Sequence, residues 1–298
     1  MSSRHVVRRG GEIDLAAPAG SDAVGFRRWS VVDEDTPGAV HTTFTIGELA
    51  PGGRIPSHVH SFEDSLFVLE GQVVLDNTDG AFLLRAGDYG VTAVGAPHGL
   101  RNVSDASVRW ATMFAPQPRA RTAADTYPVA TIAERDPVSI DVRDPRTRGF
   151  GHIDPRNMEV DRQTQDMLAV SASMRTALLV YSGITVKMMI DRELGAEFLT
   201  MFMVQYEPRG VAGAHDHPFE ETYMILEGSV DAAFDDDTYR LEAGDIAWAG
   251  VGCVHRFANP GPGVVRWLET QAPQPPSRHS YRFARDWDYL RDVTSNDR

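Results

Sequence analysis

Cysteine is almost absent from this sequence: Cys253 is the only one in 298 residues. No intrachain disulfide can form, which fits a reducing compartment. An excess of basic charge is missing too. Lys and Arg number 29 against 42 Asp and Glu, a net charge of −13. That balance argues against nucleic acid as a partner, because phosphates favour a basic face. No apolar stretch approaches the roughly 20 residues needed to span a bilayer, so no membrane partner is expected. The opening residues, "MSSRHVVRRGGEIDLAAPAG", lack the apolar run of a secretory signal, and the expected location is cytoplasmic. Also lacking are a P-loop, a dinucleotide glycine fingerprint, a G-x-S-x-G elbow and an H-E-x-x-H helix.

What is present is a repeat. Hydrophobic content of 42% and charged content of 24% describe an ordinary globular chain, long enough for two domains that each bury a core. Residues 57 to 71 read "SHVHSFEDSLFVLEG", and residues 214 to 228 read "AHDHPFEETYMILEG". A shift of 157 superposes them, and from Pro51 to Pro118 it gives 26 identities in 68 positions without a gap. The chain therefore contains two copies of one domain. Each copy consists of short runs rich in β-branched and aromatic residues, such as "FLTMFMVQY", "TYMILEG", "SVDAAF" and "GVVRWLET". Glycine-closed turns separate them, which predicts an all-β sandwich or barrel. The stretch between copies, rich in Arg, Asp and Pro, reads as an irregular connector with a short helix within "DRQTQDMLAVSASM".

The repeated stretch carries the chemistry. In a strand, residues i and i+2 share a face, so His215 and His217 can both aim inward while Asp216 points away. Glu221 follows a short turn, and His255 arrives from a later strand. Three imidazoles and one carboxylate converging inside a barrel make a metal site. The mixed nitrogen and oxygen donors suit Fe, Mn, Co, Ni, Cu or Zn rather than Ca or Mg, and they leave about two positions of an octahedral ion open. His58, His60, Asp64 and His98 repeat the set in the first copy. Six of the ten histidines fall on these positions.

The spacing resembles the two motifs of the cupin family. The first is glycine, then His-x-His, three or four residues, Glu, six residues, Gly. The second is Gly, five residues, Pro-x-Gly, two residues, His, three residues, Asn. The second copy supplies Gly210, His215, His217, Glu221 and Gly228, then Gly244, Gly250, Gly252, His255 and Asn259. The first supplies Gly53, His58, His60, Asp64 and Gly71, then Gly87, Ala93, Gly95, His98 and Asn102. Both copies lack the proline of the second motif, and Asp64 replaces the family's Glu with a side chain one methylene shorter. The resemblance implies a bicupin: two tandem jelly-roll-type antiparallel β-barrels with an irregular linker and short helical segments. The N-terminal domain spans 1–130, the linker 131–179, and the C-terminal domain with its tail 180–298. It also implies a divalent transition metal (Fe, Mn, Ni, Cu or Zn), a small-molecule substrate and a homodimer. The activity expected first is an Fe(II)-type dioxygenase or oxidoreductase acting on a small polar metabolite. The alternatives are a metal-assisted hydrolase or isomerase similar to ureidoglycine aminohydrolases, and a bicupin that only binds a small ligand.

Other residues stand out less. In the repeated "VRW", strand alternation sends either the Arg or the Trp inward; an inward Arg109 or Arg266 would clamp a substrate carboxylate, whereas an inward Trp110 or Trp267 is packing. Tyr223, Met224, Met201, Met203, Phe202 and Trp248 are pocket or core candidates. Glu63 and Glu220, beside the ligand carboxylates, suit a solvated outer face or a proton-transfer role. Asn102 and Asn259 suit turns. Cys253 suits a small buried hydrophobe, and His152 a surface role or the mouth of a barrel. The tail aromatics Tyr281, Phe283, Trp287 and Tyr289 are expected to pack on a barrel or on a partner.

Overall fold

A computed structural model of the chain describes residues 4–159, 176–179, 183–274 and 282–283. The helix expected within 161–174 and the packing of Tyr281, Trp287 and Tyr289 lie outside the described residues, whereas Arg282–Phe283 forms a short strand paired with His215–Asp216 of the C-terminal barrel. Within them the chain is built of strands and short 3-10 turns. No helix among the described residues is long and apolar enough to cross a membrane.

The 157-residue shift carries one set of strands onto the other. The long strand Thr43–His60 corresponds to Thr200–Tyr206 and Val211–Asp216, Glu63–Glu70 to Glu220–Glu227, and Gln72–Asn77 to Ser229–Phe234. His98–Arg101 corresponds to His255–Ala258, and Val108–Ala115 to Val265–Ala272. Pairing follows suit: His58 lies opposite His98 as His215 lies opposite His255, and Glu63 faces Ala115 as Glu220 faces Ala272. The turns recur as well. Gly71 and Gly228 both adopt φ of +76°, and a Cβ at either would collide with a main-chain oxygen, Ser107 O at 2.6 Å or Val264 O at 2.4 Å. Only glycine fits there.

Strand alternation divides the apolar residues between three cores. Phe202, Val204, Tyr206, Tyr223, Ile225 and Trp267 fill the C-terminal barrel. Leu49, Leu66, Val68, Leu100 and Trp110 fill the N-terminal one. The opposite faces of the same strands form a third core between the barrels, where Phe44, Ile46 and Met113 pack with Met201, Met203, Met224, Trp248 and Leu268. Each such side chain contributes about 1.5–3 kcal/mol on full burial, so this shared core binds the two halves into one body.

Exchanged segments reinforce that core. The first strand, His5–Arg8, pairs antiparallel with Ile246–Ala249 of the C-terminal barrel. The equivalent edge of the N-terminal barrel, Asp88–Thr92, is covered by the connector strand Phe150–His152. An aspartate at the same position fixes each addition: Asp245 accepts from Arg9 at 2.6 Å and from the Gly10 amide at 2.9 Å, and Asp88 meets His152 Nδ1 at 2.7 Å. The connector adds two further strands to the N-terminal sheet, Thr126–Pro128 beside His58–His60 and Val138–Ser139 beside Ala81–Arg85.

Glu63 and Glu220 turn out to be neither solvated nor near the histidines. Alternation places each on the face opposite its neighbouring ligand carboxylate, and that face is the inter-barrel contact. Glu63 accepts from the amides of Glu197 and Phe198 at 2.6 and 2.9 Å. Glu220 accepts from the amides of Val40, His41 and Thr42 at 2.7, 3.0 and 3.1 Å, and from the Thr42 hydroxyl. Each glutamate therefore holds the loop that enters the other barrel, in a reciprocal clasp.

Candidate metal centres

In the C-terminal barrel the antiparallel pairing of Val211–Asp216 with His255–Ala258 brings His215, His217 and His255 together, with their ligating nitrogens within 4.8 Å of one another. Each ring is oriented from behind. Nδ1 of His215 donates to Gly213 O at 2.8 Å, that of His217 to Phe219 O at 3.0 Å and that of His255 to Cys253 O at 3.0 Å. Those bonds fix the Nδ1–H tautomer and leave every Nε2 lone pair facing the common point. Burial pushes the His215 imidazole down to about 4, so it is neutral and ligand-competent at pH 7. Oε2 of Glu221 lies 2.7 Å from His217 Nε2 and 3.2 Å from His255 Nε2.

Glu221 is fully enclosed in a polar network. Burial alone would raise its carboxyl, but His217 and His255 overcome that and hold it well below the usual range. The Tyr223 hydroxyl and the Gln271 amide both donate to it. Glu269 is buried beside it, accepts from Trp267 Nε1 at 2.8 Å, and is pushed well above its usual range by burial and by the charge of Glu221.

The N-terminal barrel repeats the triad with different surroundings. The ligating nitrogens of His58, His60 and His98 again lie within 4.8 Å of one another. Nδ1 of His58 donates to Pro56 O at 2.6 Å and that of His98 to Ala96 O at 3.0 Å. Nδ1 of His60 meets Thr126 Oγ1 at 2.9 Å, and that hydroxyl is spent on Ala124 O, so it accepts from the ring. Burial and the neighbouring rings push His58 to about 4 and His60 to about 2. The Nε2 atoms of His58 and His60 are 3.1 Å apart. Two lone pairs held that close repel unless a cation lies between them, and this is the clearest sign that the residues fit a metal ion.

Asp64 stands farther off, at 3.7 Å from His60 Nε2 and 3.8 Å from His98 Nε2. Its Oδ1 is buried without a hydrogen-bond partner, and burial raises its carboxyl. The side chain keeps 21% exposure against 2% for Glu221. Where the second barrel has Tyr223, Glu269 and Gln271, the first has Leu66, Thr112 and Phe114.

The structure brings all eight expected ligands into two groups of four, with Tyr223 touching the second. Arg109 and Arg266 go elsewhere. Trp110 and Trp267 take the inward face, so the arginines point out of the barrels. Arg109 pairs with Glu48 at 2.8 Å. Arg266 pairs with Glu227 and reaches Gln205 and the Pro155 carbonyl at 3.3 Å. Arg266 lines a cleft of about 440 Å³ between the barrels, together with His152, Met158 and Met203. Asn102 and Asn259 hold turns through main-chain carbonyls. Cys253 is buried and its thiol is pushed up to about 12 by burial. It gathers with His5 and Asp235, but Asp235 is already neutralised by Arg4 at 2.7 Å, so this group serves to dock the first strand.

Two features escaped the sequence reading. Glu269 and Gln271 share the parity of Trp267 in "VRWLETQA", so alternation alone marks them as inward. Arg28 lies on the strand Val24–Val32, ahead of the repeated stretch, where self-comparison does not reach. Its neighbour in register is Gly47, and its guanidinium feels the charges of Asp64 and Asp33.

The family model described as "Cupin domain" matches residues 45–114 and 202–270, once in each barrel. The chain is similar in fold to a protein of Pseudomonas aeruginosa named for induction by glyoxylate, at 18% identity and a TM-score of 0.65, covering 95% of this chain and 93% of that one. Similar too is the oxalate decarboxylase of Lactobacillus farciminis in its formate complex, at 15% identity and a TM-score of 0.62, with coverage of 96% and 92%. The salicylate 1,2-dioxygenase of Pseudoaminobacter salicylatoxidans aligns at 13% identity and a TM-score of 0.68, covering 91% and 81%. No curated protein matches the chain in sequence.

Proposed function

We propose, from the premise that the chain is a bicupin with one cupin domain in each half, that it is a metal-dependent enzyme of the dioxygenase or oxidoreductase type. Its substrate is a small polar metabolite, and it works as a cytoplasmic homodimer. The observation that carries the reading is the convergence of three back-anchored imidazoles and a carboxylate in each barrel, with His58 and His60 presenting Nε2 lone pairs to each other at 3.1 Å. Solved structures of the same fold include a dioxygenase and a decarboxylase, which supports an enzyme over a silent binding protein.

A divalent transition metal held by His215, His217, Glu221 and His255, or by His58, His60, Asp64 and His98, supplies Lewis acidity and, as iron, one-electron chemistry with dioxygen. The chain's own residues do the rest. The main-chain carbonyls behind each Nδ1 keep the rings aimed and neutral. Tyr223 and Gln271 donate to Glu221 and keep it pointed at the histidines, whose rings hold it ionised. Phenylalanine rings shield the triads from water: Phe219 stacks on His217 at 3.8 Å, and Phe62 on His60 at 4.2 Å. Elemental analysis together with oxygen-electrode assays over small polar metabolites tests the reading. Bound iron or copper and substrate-dependent oxygen uptake are expected. Manganese, zinc or nickel with turnover but no oxygen uptake would move the assignment to hydrolysis or isomerisation.

A further inference from the structure

The two barrels differ most along one inward row of side chains. In the N-terminal barrel Ser30, Thr45 and Thr112 lie side by side in register, ending on Leu66. The matching row of the C-terminal barrel is Met188, Phe202, Glu269 and Tyr223. One step along, Arg28 lies opposite Gly47, while the C-terminal counterpart is Val186 opposite Val204. Phe26, two residues before Arg28 and so on the same face, stacks on the inward Trp110 at 5.8 Å, which puts the guanidinium inside the barrel. Gly47 itself supplies no side chain to this row because the Trp110 ring fills the place: a Cβ there would lie 2.5 Å from it.

Arg28 is only partly buried and, among the described residues, its side chain makes no hydrogen bond or close ion pair. Asp64 and Asp33 act on it only at a distance, and a guanidinium inside a barrel without a hydrogen-bonded anion is costly. A second group lies on the same inward face in the adjoining row: the Thr112 hydroxyl is buried with no partner. Charge separates the barrels as well. A divalent ion with Asp64 and Arg28 sums to about +2 in the first, whereas a divalent ion with Glu221 sums to about +1 in the second, with no cation added.

We infer that the N-terminal barrel is the one that takes substrate, and that Arg28 holds the carboxylate of a small organic acid there, with Thr112 donating to the same group. The inference rests on the metal-enzyme reading for the role of the histidines, but the anchoring by Arg28 has its own test. Isothermal titration of the metal-loaded full-length chain uses acetate, pyruvate and benzoate as probes and acetamide as the neutral control. The wild type binds the carboxylates at one site per chain and does not bind acetamide. Arg28→Met weakens them roughly 10- to 100-fold, the worth of a charge-assisted hydrogen-bonded pair, with metal content unchanged. Arg28→Lys, which keeps the charge but not the fork, falls between; if the Met variant does not fold, this one decides. Thr112→Val costs a few-fold. Unchanged carboxylate affinity in the folded Arg28 variants, equal binding of acetamide, or no carboxylate binding by the wild type overturns the inference while leaving the metal reading intact. A chain that loads no metal yet still binds carboxylates through Arg28 in the metal-free titration overturns the metal reading instead.

Discussion

Asp64 and Glu221 stand at the same place in two copies of one barrel and meet opposite surroundings. Glu221 is enclosed, with its negative charge held by Tyr223, Gln271 and two imidazoles, and a second carboxyl, Glu269, is sealed in beside it. Asp64 is a methylene shorter, stands 0.6 to 1.0 Å farther from its histidines, leaves one oxygen unpaired and has the charge of the Arg28 guanidinium in the same barrel. Ligand identity alone therefore does not define such a centre. The two triads are anchored alike, through Nδ1 to main-chain or hydroxyl oxygens. What the copies do not share is the layer of side chains behind the carboxylate, and that layer sets charge, access and reach.

Acid exposes the comparison most strongly. His58, His60 and His215 are held below their ordinary value of 6.5, to about 4, about 2 and about 4. A depressed group favours folding above its unfolded value and loses that as pH falls, because the unfolded chain takes up the proton first. Metal-free protein should therefore lose about 1 kcal/mol per histidine between pH 6.5 and 5.5, continuing down toward pH 4. Two of the three belong to the N-terminal barrel, so hydrogen exchange should show that barrel opening first. Denaturant midpoints that stay level over this range would count against the buried neutral triads.

The clasps should instead behave alike. Glu63→Ala and Glu220→Ala each strand buried amides of the opposite barrel, and each should cost about 2–4 kcal/mol in urea unfolding. A large effect from one and none from the other would break the equivalence of the halves. Carboxylate length comes next. Asp64→Glu should tighten metal retention in the first barrel about tenfold and Glu221→Asp loosen it in the second by a similar factor, read by competition with a chelator. If neither exchange matters, the carboxylates are not ligands. The smallest expected effect is that of Tyr223→Phe, which removes one donor to Glu221 and should weaken the second site several-fold without touching the first.

Much of this was legible in the residues. The ungapped repeat, the His-x-His spacing and the glycine turns specify strands, barrels and ligands, because metal donors and positive-φ turns admit few residue types. Alternation in "VRW" posed the right choice without deciding it: tryptophan goes inward because the barrel needs its volume, and each arginine finds a glutamate outside. Glu63 and Glu220 were misread because a face opposite a ligand is solvated in a lone barrel but buried when two barrels dock. The exchange of His5–Arg8 onto the far barrel leaves no local signal, since strand pairing across more than 230 residues depends on the fold itself. Arg28 was invisible for a similar reason: its strand joins the site only through register with Gly47.

The most direct measurement is the number of metal ions per chain in three proteins: the wild type, His98→Ala and His255→Ala, each loaded after chelation and desalted. The account predicts two ions in the wild type and one in each variant, with the ion left in His98→Ala the more slowly released because Glu221 is enclosed. No retained metal in the wild type, or a full complement in both variants, would contradict it.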